Sequence, residues 1–283
     1  MSDRFLAAAV QMNSRLDKEA NVATAVRLVE EAHRQGAQLV VLPEMFNMLG
    51  PFPDVIAAAE PIPGPTSKLM AELARRLEIT LLAGSICEAA TAATNDAESA
   101  QGNVIPPRGS NTSLLFLPDG SLAARYRKVH LFNVDLPGRV EIEESRYITA
   151  GDKIVSYETS LARLGLSICY DLRFPELYRR LADEDAELIL TPAAFTRTTG
   201  QAHWELLLRA RAVENQAYLI GANQCGSHGG NLESYGHSMI IDPWGEVLAS
   251  ASDEEAVITA EIDLSRLREI RAQLPALRHR RNI

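Results

Sequence analysis

The chain has little of what would tie it to a membrane, a nucleic acid or a disulfide framework. It has no apolar run of the roughly 20 residues that a transmembrane helix needs. Acidic residues outnumber basic ones, and the net charge of −9 repels phosphate groups. Cysteine is scarce, and its three residues are widely spaced without a CxxC pair. We therefore expect no nucleic-acid or membrane partner, no disulfide framework and no structural zinc site.

The first residues carry no sign of a secretory signal. Met1-Ser2-Asp3-Arg4 leads directly into the strand-like run FLAAAVQM, without a cationic start, a long apolar centre or a cleavage site. Together with the cysteine usage, this predicts a cytoplasmic protein in a reducing compartment. Asn111-Thr112-Ser113 matches a glycosylation sequon, which we interpret as a chance match in such a protein.

Strand-like and helix-like patterns alternate along the chain, and 46% of its residues are hydrophobic, enough for a sizeable core. Strands are predicted at 5–12, 39–42, 79–87, 164–169, 188–191, 218–223 and 256–262. Helices are predicted at 18–35, 66–78, 202–217 and 264–272. Strand-like runs on both sides of Pro118-Asp119-Gly120 and Pro243-Trp244-Gly245 predict two hairpins.

Each half of the chain thus holds a β-α-β series with an added hairpin. The strands are continuous apolar runs, which is typical of sheets covered on both faces. We predict one layered α/β domain over residues 1–283. The stretch 90–110, rich in Ala, Asn, Ser, Gly and Pro, is predicted to be a mobile surface loop over a cleft, and 227–231 a second flexible loop.

Cys169 ends the strand-like run LGLSIC, and a helical pattern with Pro175 in its first turn begins shortly afterwards. Open α/β sheets bind ligands at this carboxyl edge of their strands. Free backbone N–H groups and the nearby helix start are expected to lower the pKa of the thiol and to bind an oxyanion. The alternative is a small buried hydrophobe, since Cys87 and Cys225 also end strand-like runs.

Two charged residues also follow strand-like runs. Glu44 comes directly after the buried run VVLP, where a carboxylate is costly unless it is paired or used, for example as a general base. Lys128 lies at the end of the first hairpin and, pointing inward, would stabilise a thiolate or an oxyanion. An ordinary loop acid and a solvated basic edge strand with Arg125 and Arg127 are the alternatives.

Three motifs in one order are more specific than any of these residues alone. VVLPE, YRKVHLF and ICYDLRFPEL resemble the nitrilase superfamily of carbon–nitrogen hydrolases, along essentially the whole chain. The resemblance places the Glu–Lys–Cys triad of that family at Glu44, Lys128 and Cys169. It implies an α-β-β-α sandwich that dimerises through helices into a longer stack, with the tail 273–283 at the dimer interface.

The resemblance also implies a mechanism without metal or organic cofactor. Glu44 takes the proton of Cys169, the thiolate attacks an amide carbonyl, and a thioester forms that water then hydrolyses. Lys128 and the backbone N–H of Tyr170 hold the oxyanion. The substrate is expected to be a small amide.

Other site residues follow less directly. The second glutamate of the family lies in GRVEIEESRYITAGD, with Glu144 as first candidate and Glu141 and Glu143 left open. Arg173 is the candidate for binding a substrate carboxylate, and Thr199 for a hydroxyl contact.

TPAAFTRTTGQAHWELLLRARAVENQAY and SYGHSMIIDPWGEV resemble the Nit branch of the superfamily. This implies hydrolysis of deaminated glutathione to 2-oxoglutarate and cysteinylglycine. The alternatives are an omega-amidase acting on 2-oxoglutaramate, a nitrilase or carbamoylase, and a non-catalytic partner of a Fhit-type protein.

Overall fold

Two six-stranded sheets form the centre of the computed structural model, which describes residues 3–90, 108–137 and 140–281. Sheet I consists of β1 (Arg4–Gln11), β2 (Leu39–Val41), β3 (Thr80–Ala89), β4 (Gly109–Phe116), β5 (Leu122–Arg127) and β16 (Ala256–Asp263). Sheet II consists of β8 (Ser156–Glu158), β9 (Arg163–Leu166), β10 (Leu188–Ala193), β11 (Tyr218–Asn223), β14 (Met239–Ile241) and β15 (Val247–Ser250). Two short hairpins stand apart: β6 (Asn133–Leu136) with β7 (Val140–Glu143), and β12 (Cys225–Ser227) with β13 (Glu233–Tyr235).

The described helices are α1 (Lys18–Arg34), α2 (Phe52–Ala57), α3 (Pro65–Leu77), α4 (Pro175–Asp183), α5 (Arg197–Asn215) and α6 (Leu264–Gln273). Short 3-10 helices span Glu144–Arg146, Cys169–Arg173 and Ala276–His279. No helix among the described residues combines the length and the apolar character needed to cross a membrane.

Each sheet has a parallel centre flanked by antiparallel strands. β2 pairs in parallel with β1 and β3, and β10 pairs in parallel with β9 and β11. The hairpins β4–β5 and β14–β15 extend the two sheets with antiparallel pairing. The two β-α-β series with added hairpins predicted from the sequence are therefore confirmed.

Successive residues of a strand face opposite sides of a sheet, and here the two sides belong to different cores. Ala7 and Ala9 of β1 lie in a core shared with sheet II, whereas Ala8 and Val10 pack with α1 and α3. On the far side of sheet II, α4 and α5 pack against its strands. The layer order is α-β-β-α in one domain, as the resemblance to the nitrilase superfamily implied.

Some local expectations were wrong. α5 begins at Arg197 rather than near 202, and β9 ends at Leu166, before Cys169. The flexibility of 227–231 stays a prediction; within it, buried His228 donates from Nδ1 to the Ser14 carbonyl at 2.7 Å and accepts the Ser234 hydroxyl at Nε2. Burial lowers the pKa of His228 to about 4. Most of the predicted loop at 90–110 lies outside the described residues.

Candidate active site

Four of the predicted residues meet where the two sheets face each other. Glu44 follows β2 and Lys128 follows β5, both in sheet I, while Cys169 follows β9 of sheet II. Glu144 begins the 3-10 helix after β7. Each of the four is less than one-tenth exposed. The carboxyl ends of strands from both sheets thus converge on one buried cluster.

The Glu44 carboxylate is held by three hydrogen-bond donors. Its Oε1 accepts from Lys128 Nζ at 3.0 Å and from Asn111 Nδ2 at 2.7 Å. Its Oε2 accepts from the backbone N–H of Ala194 at 2.8 Å, which ties the sheet I residue to the end of β10. The turn that carries Glu44 passes so close to Gly84 that a Cβ there would lie 1.9 Å from the Pro43 carbonyl oxygen. Only glycine fits at position 84.

Lys128 lies between two carboxylates. Its Nζ is 3.0 Å from Glu44 Oε1 and 2.9 Å from Glu144 Oε2. Glu144 Oε2 also accepts the Phe132 N–H at 2.6 Å. Glu141 and Glu143 are exposed, and in the described part of the chain neither forms an ion pair with Lys128. Of the three acidic candidates, the structure brings Glu144 to the lysine.

Asn111 is a member of the cluster that sequence reasoning missed. It lies in β4, is 1% exposed, and its Nδ2 also approaches Glu144 Oε1 at 3.5 Å. The amide therefore separates two carboxylates that would otherwise repel each other. Its burial also leaves the sequon inaccessible to a glycan in the folded protein, in line with a chance match. A polar residue within the buried run NTSLLF was the available signal.

Cys169 is the first residue of its 3-10 helix and has a φ of 47°, in the left-handed region that non-glycine residues rarely adopt. Such strain is found where a side chain must be presented at a sharp turn. Within the described residues, the Tyr170 N–H donates to no protein acceptor. It is therefore free to bind an oxyanion beside the thiol.

The expected lowering of the thiol pKa was wrong. Burial, followed by the charge of Glu44, raises the pKa of Cys169 well above its ordinary value, and the opposing charge of Lys128 does not offset this. Burial alone would lower the pKa of Lys128, but Glu144 and Glu44 hold it well above its ordinary value. At neutral pH the thiol of Cys169 is therefore protonated and the amine of Lys128 carries its charge.

A cavity of about 480 Å³ opens on this cluster. Cys169, Glu44, Lys128 and Glu144 line it together with Arg146, whose guanidinium lies 5.6 Å from the centre of the Tyr147 ring. Within the described residues, Arg146 has no ion pair with an acidic side chain. Among the described residues that line this cavity Arg146 is the only arginine, and it was not among the sequence candidates.

Arg173 and Thr199 lie to one side. Arg173 does not line this cavity; its guanidinium lies over the rings of Phe195 and Tyr170, 5.1 and 5.8 Å from their centres. Thr199, in the first turn of α5, lines a small neighbouring cavity with Cys169, and its hydroxyl is 2.8 Å from that of Thr196. Their roles in substrate binding stay predictions.

The cluster contains the thiol of Cys169, the carboxyl group of Glu44, the amine of Lys128 and, next to the thiol, the free N–H of Tyr170. This arrangement can add a thiol to a carbonyl carbon, stabilise the resulting oxyanion and protonate a leaving amine. Among the described residues, no group of three or more His, Cys, Asp or Glu side chains is arranged to hold a metal ion.

Known proteins are similar to this chain in sequence and in fold. A family model described as carbon-nitrogen hydrolase matches residues 6–272. Omega-amidase NIT2 of Homo sapiens is 41% identical over 98% of this chain and 95% of its own length. The deaminated glutathione amidase of Synechocystis is 42% identical over 98% of both chains. The crystal structure of the C. elegans NitFhit protein is 39% identical with a TM-score of 0.86, covering 98% of this chain and 65% of that one.

These matches span nearly all of the described fold and include every motif that contributes to the cluster. The chain therefore belongs to the carbon–nitrogen hydrolase family and is a hydrolase of carbon–nitrogen bonds other than peptide bonds.

Proposed function

We propose that this enzyme is an amidase that works through a cysteine thioester and that its substrate is deaminated glutathione. The observation that carries the chemistry is the position of Glu44. One of its oxygens contacts Lys128 and the other the Ala194 N–H, and burial, followed by its charge, raises the pKa of the Cys169 thiol.

In the first half-reaction the Sγ–H proton of Cys169 passes to Glu44 as Sγ attacks the amide carbonyl carbon. Because the pKa of the thiol is raised, attack requires this transfer. Lys128 and the Tyr170 N–H stabilise the tetrahedral oxyanion. Glu44 then returns the proton to the amide nitrogen, the C–N bond breaks, and the amine leaves from a thioester.

In the second half-reaction water replaces the amine, and the proton that Glu44 takes from the water is passed to Sγ as the C–S bond breaks. Glu44 removes a proton from the water as its oxygen attacks the thioester carbon, and the collapse of the oxyanion releases a carboxylic acid and the thiol. Glu144 stays ion-paired with Lys128 and keeps the ammonium group of Lys128 directed at the reacting carbon. The acid–base steps are thus assigned to side chains of this chain.

The space around the cluster favours a substrate with a sizeable leaving group. A second cavity of about 660 Å³ adjoins the first, and both are lined by Glu141, Ile142, Thr196, Asn231 and Leu232. The 2-oxoglutaramoyl group would fill the cavity with Cys169, and cysteinylglycine would extend into the second. 2-Oxoglutaramate, whose leaving group is ammonia, has no part that reaches it.

An omega-amidase acting on 2-oxoglutaramate is the second candidate, because a relative with that name is as similar as the deaminated glutathione amidase. Initial rates on both substrates decide between them. We expect kcat/KM for deaminated glutathione to exceed that for 2-oxoglutaramate by about 10-fold or more, since contacts with the leaving group stabilise only the larger transition state. A reversed ratio would assign the enzyme to omega-amidases, and release of ammonia from a nitrile would assign it to nitrilases.

We assign the substrate carboxylate to Arg146, since this guanidinium lines the cavity and has no acidic partner among the described residues. Arg146→Gln is expected to raise KM by about 10- to 100-fold with a smaller effect on kcat, because a lost charged hydrogen bond weakens ground-state and transition-state binding alike. Arg173→Gln is the matched comparison. A large rise in KM in Arg173→Gln alone would return the carboxylate to the residue expected from the sequence.

We also propose a homodimer or a higher even oligomer. Leu206 and Val213 of α5 and Trp244 of the β14–β15 turn are large apolar side chains that are 66%, 48% and 57% exposed. The turn lies against the helix, since Arg209 Nε donates to the Gly245 carbonyl at 2.9 Å. Several large exposed apolar side chains on neighbouring elements are typical of an interface. Analytical ultracentrifugation of the enzyme and of Leu206→Glu checks this; a monomeric wild type would contradict it.

The C-terminal tail is part of the proposed interface. Arg280 is ion-paired with Asp183 at the end of α4, and α4 packs against α5, the helix assigned to the interface. We place the enzyme in the cytoplasm because Cys87, Cys169 and Cys225 are all free thiols, as in reducing compartments. Cell fractionation tests the location.

A further inference from the structure

Asp171 is a fully buried carboxylate to which the proposed chemistry gives no role. It lies in the 3-10 helix two residues after Cys169 and has no exposed surface. Its Oδ2 accepts from the Tyr126 hydroxyl at 2.6 Å and from the Ile168 N–H at 2.9 Å. Its Oδ1 accepts from the His130 N–H at 3.0 Å and lies 2.7 Å from His130 Nδ1.

These partners come from both sides of the active site. Tyr126 and His130 bracket Lys128, two residues away on either side, whereas Ile168 directly precedes Cys169. β5, which leads to the lysine, belongs to sheet I, and β9, which leads to the cysteine, belongs to sheet II. No ladder of backbone hydrogen bonds therefore sets the separation of the ammonium group and the thiol.

We propose that Asp171 is a positioning residue that fixes Lys128 relative to Cys169, an inference that rests on the proposed amidase function. A carboxylate without access to water needs all of its hydrogen bonds, and those to a charged group are strong and short. If the Lys128 segment moved by about 1 Å relative to the turn of Cys169, the bonds from Tyr126 and His130 would be lost on both oxygens, and only the Ile168 N–H would remain. Reaction rates are sensitive to displacements of this size.

The turn of the nucleophile is further fixed by the ring of Phe174, which stacks on His130 with centres 3.7 Å apart. This contact also joins the segment after Lys128 to the segment after Cys169. The Asp171 carboxylate and the stack of His130 on Phe174 therefore both hold the two segments together. Loss of one hydrogen bond is expected to shift the segments without unfolding them.

A matched tyrosine allows positioning to be separated from stability. Tyr178 is as fully buried as Tyr126, but its hydroxyl bonds to Ser167 Oγ at 2.9 Å and Thr191 Oγ1 at 3.1 Å, both of sheet II or its loops. Tyr178→Phe and Tyr126→Phe each remove one buried phenolic O–H and change no charge at neutral pH. Only Tyr126→Phe removes a link between the sheets.

The first measurement is steady-state kinetics with thermal melting. We expect kcat to fall about 10-fold in Tyr126→Phe and about 100-fold in Asp171→Asn, with KM within about 2-fold of wild type. Tyr178→Phe is expected to lose a similar amount of Tm and to keep its kcat. If Tyr126→Phe lost Tm but kept kcat, as Tyr178→Phe does, the hydrogen bond would be structural and the proposal would be overturned.

The second measurement is the pH profile of Cys169 alkylation by iodoacetamide. The groups that face the thiol are Glu44, Lys128 and the Ala194 N–H, and Lys128 acts to lower its pKa. Displacing the ammonium group should move the midpoint of the alkylation profile to higher pH in Tyr126→Phe and leave it unchanged in Tyr178→Phe. Equal midpoints would overturn the proposal. A wild type that hydrolyses no amide would refute the proposed function, whereas this comparison would still test the positioning role.

Discussion

Replacing Cys169 with alanine is expected to abolish amide hydrolysis while the fold persists. Without Sγ no thioester can form, and loss of a nucleophile lowers kcat by a factor on the order of 10⁵ or more. The side chain is small and sits at the edge of the core, so we expect the free energy of unfolding to fall by only about 1 kcal/mol. Turnover of deaminated glutathione and the Tm of the same preparation check both parts.

Cys225→Ala is the matched control for this prediction. Cys225 is also a buried free cysteine, and burial raises the pKa of its thiol to about 12. In the described part of the chain the charges that act on Cys225 are those of Glu255, Asp253 and Glu254, and no lysine acts on it as Lys128 acts on Cys169. We expect full activity in this variant. Residual hydrolysis by Cys169→Ala would refute the assignment of Cys169 as nucleophile. If iodoacetamide does not alkylate Cys169 in the wild-type protein, the non-catalytic alternative is favoured.

That Glu44, Lys128 and Cys169 lie together could be predicted because three motifs occur in one order, and not because single residues indicated it. Lys128 is an example: ARYRK resembles a solvated edge strand, and its neighbours Arg125 and Arg127 do point to Glu88 away from the cluster. Alternation along a strand placed Lys128 on the opposite side from Arg127. Tertiary packing decides which of these sides faces the second sheet, and the periodicity of the sequence carries no information about that packing.

The pKa of Cys169 could not be predicted from its place at the start of a helical turn. Backbone N–H groups do act on it, through the Ala194 N–H, but burial and the Glu44 charge outweigh them. These two contributions depend on residues about 125 positions apart in the sequence and in different sheets. Local pattern gave the correct position of the thiol and the wrong direction of its pKa shift.

The sequence predicted the order of helices and strands more fully than the residues at which they begin and end. The start of α5 was missed because TRTTG contains residues of low helix propensity. The structure stabilises this turn by packing: a Cβ at Gly200 would lie 2.4 Å from Tyr235 Cβ, so the glycine allows β13 to approach the helix. The strands β6 and β7 were missed because runs of four partly polar residues carry no clear period.

Replacing Glu44 with glutamine is expected to slow acylation by about 10²- to 10⁴-fold. The thiol of Cys169 is protonated at neutral pH because its pKa is raised, and an amide cannot take that proton. Glutamine would also direct an N–H₂ group at neighbours that are all donors: Lys128 Nζ, Asn111 Nδ2 and the Ala194 N–H. Rapid-quench measurement of the first turnover separates acylation from thioester hydrolysis.

Glu60→Gln provides the comparison that isolates the role of Glu44. Glu60 is also a buried, lysine-paired carboxylate, 2.9 Å from Lys18 Nζ and bonded to the Thr66 hydroxyl and N–H, but it does not line the cavity with Cys169. Both substitutions remove a buried charge from an ion pair, so both are expected to lower Tm. Only Glu44→Gln should slow the first turnover. A normal acylation rate in Glu44→Gln would mean that the Cys169 proton leaves by another route and that Glu44 serves only to hold Lys128.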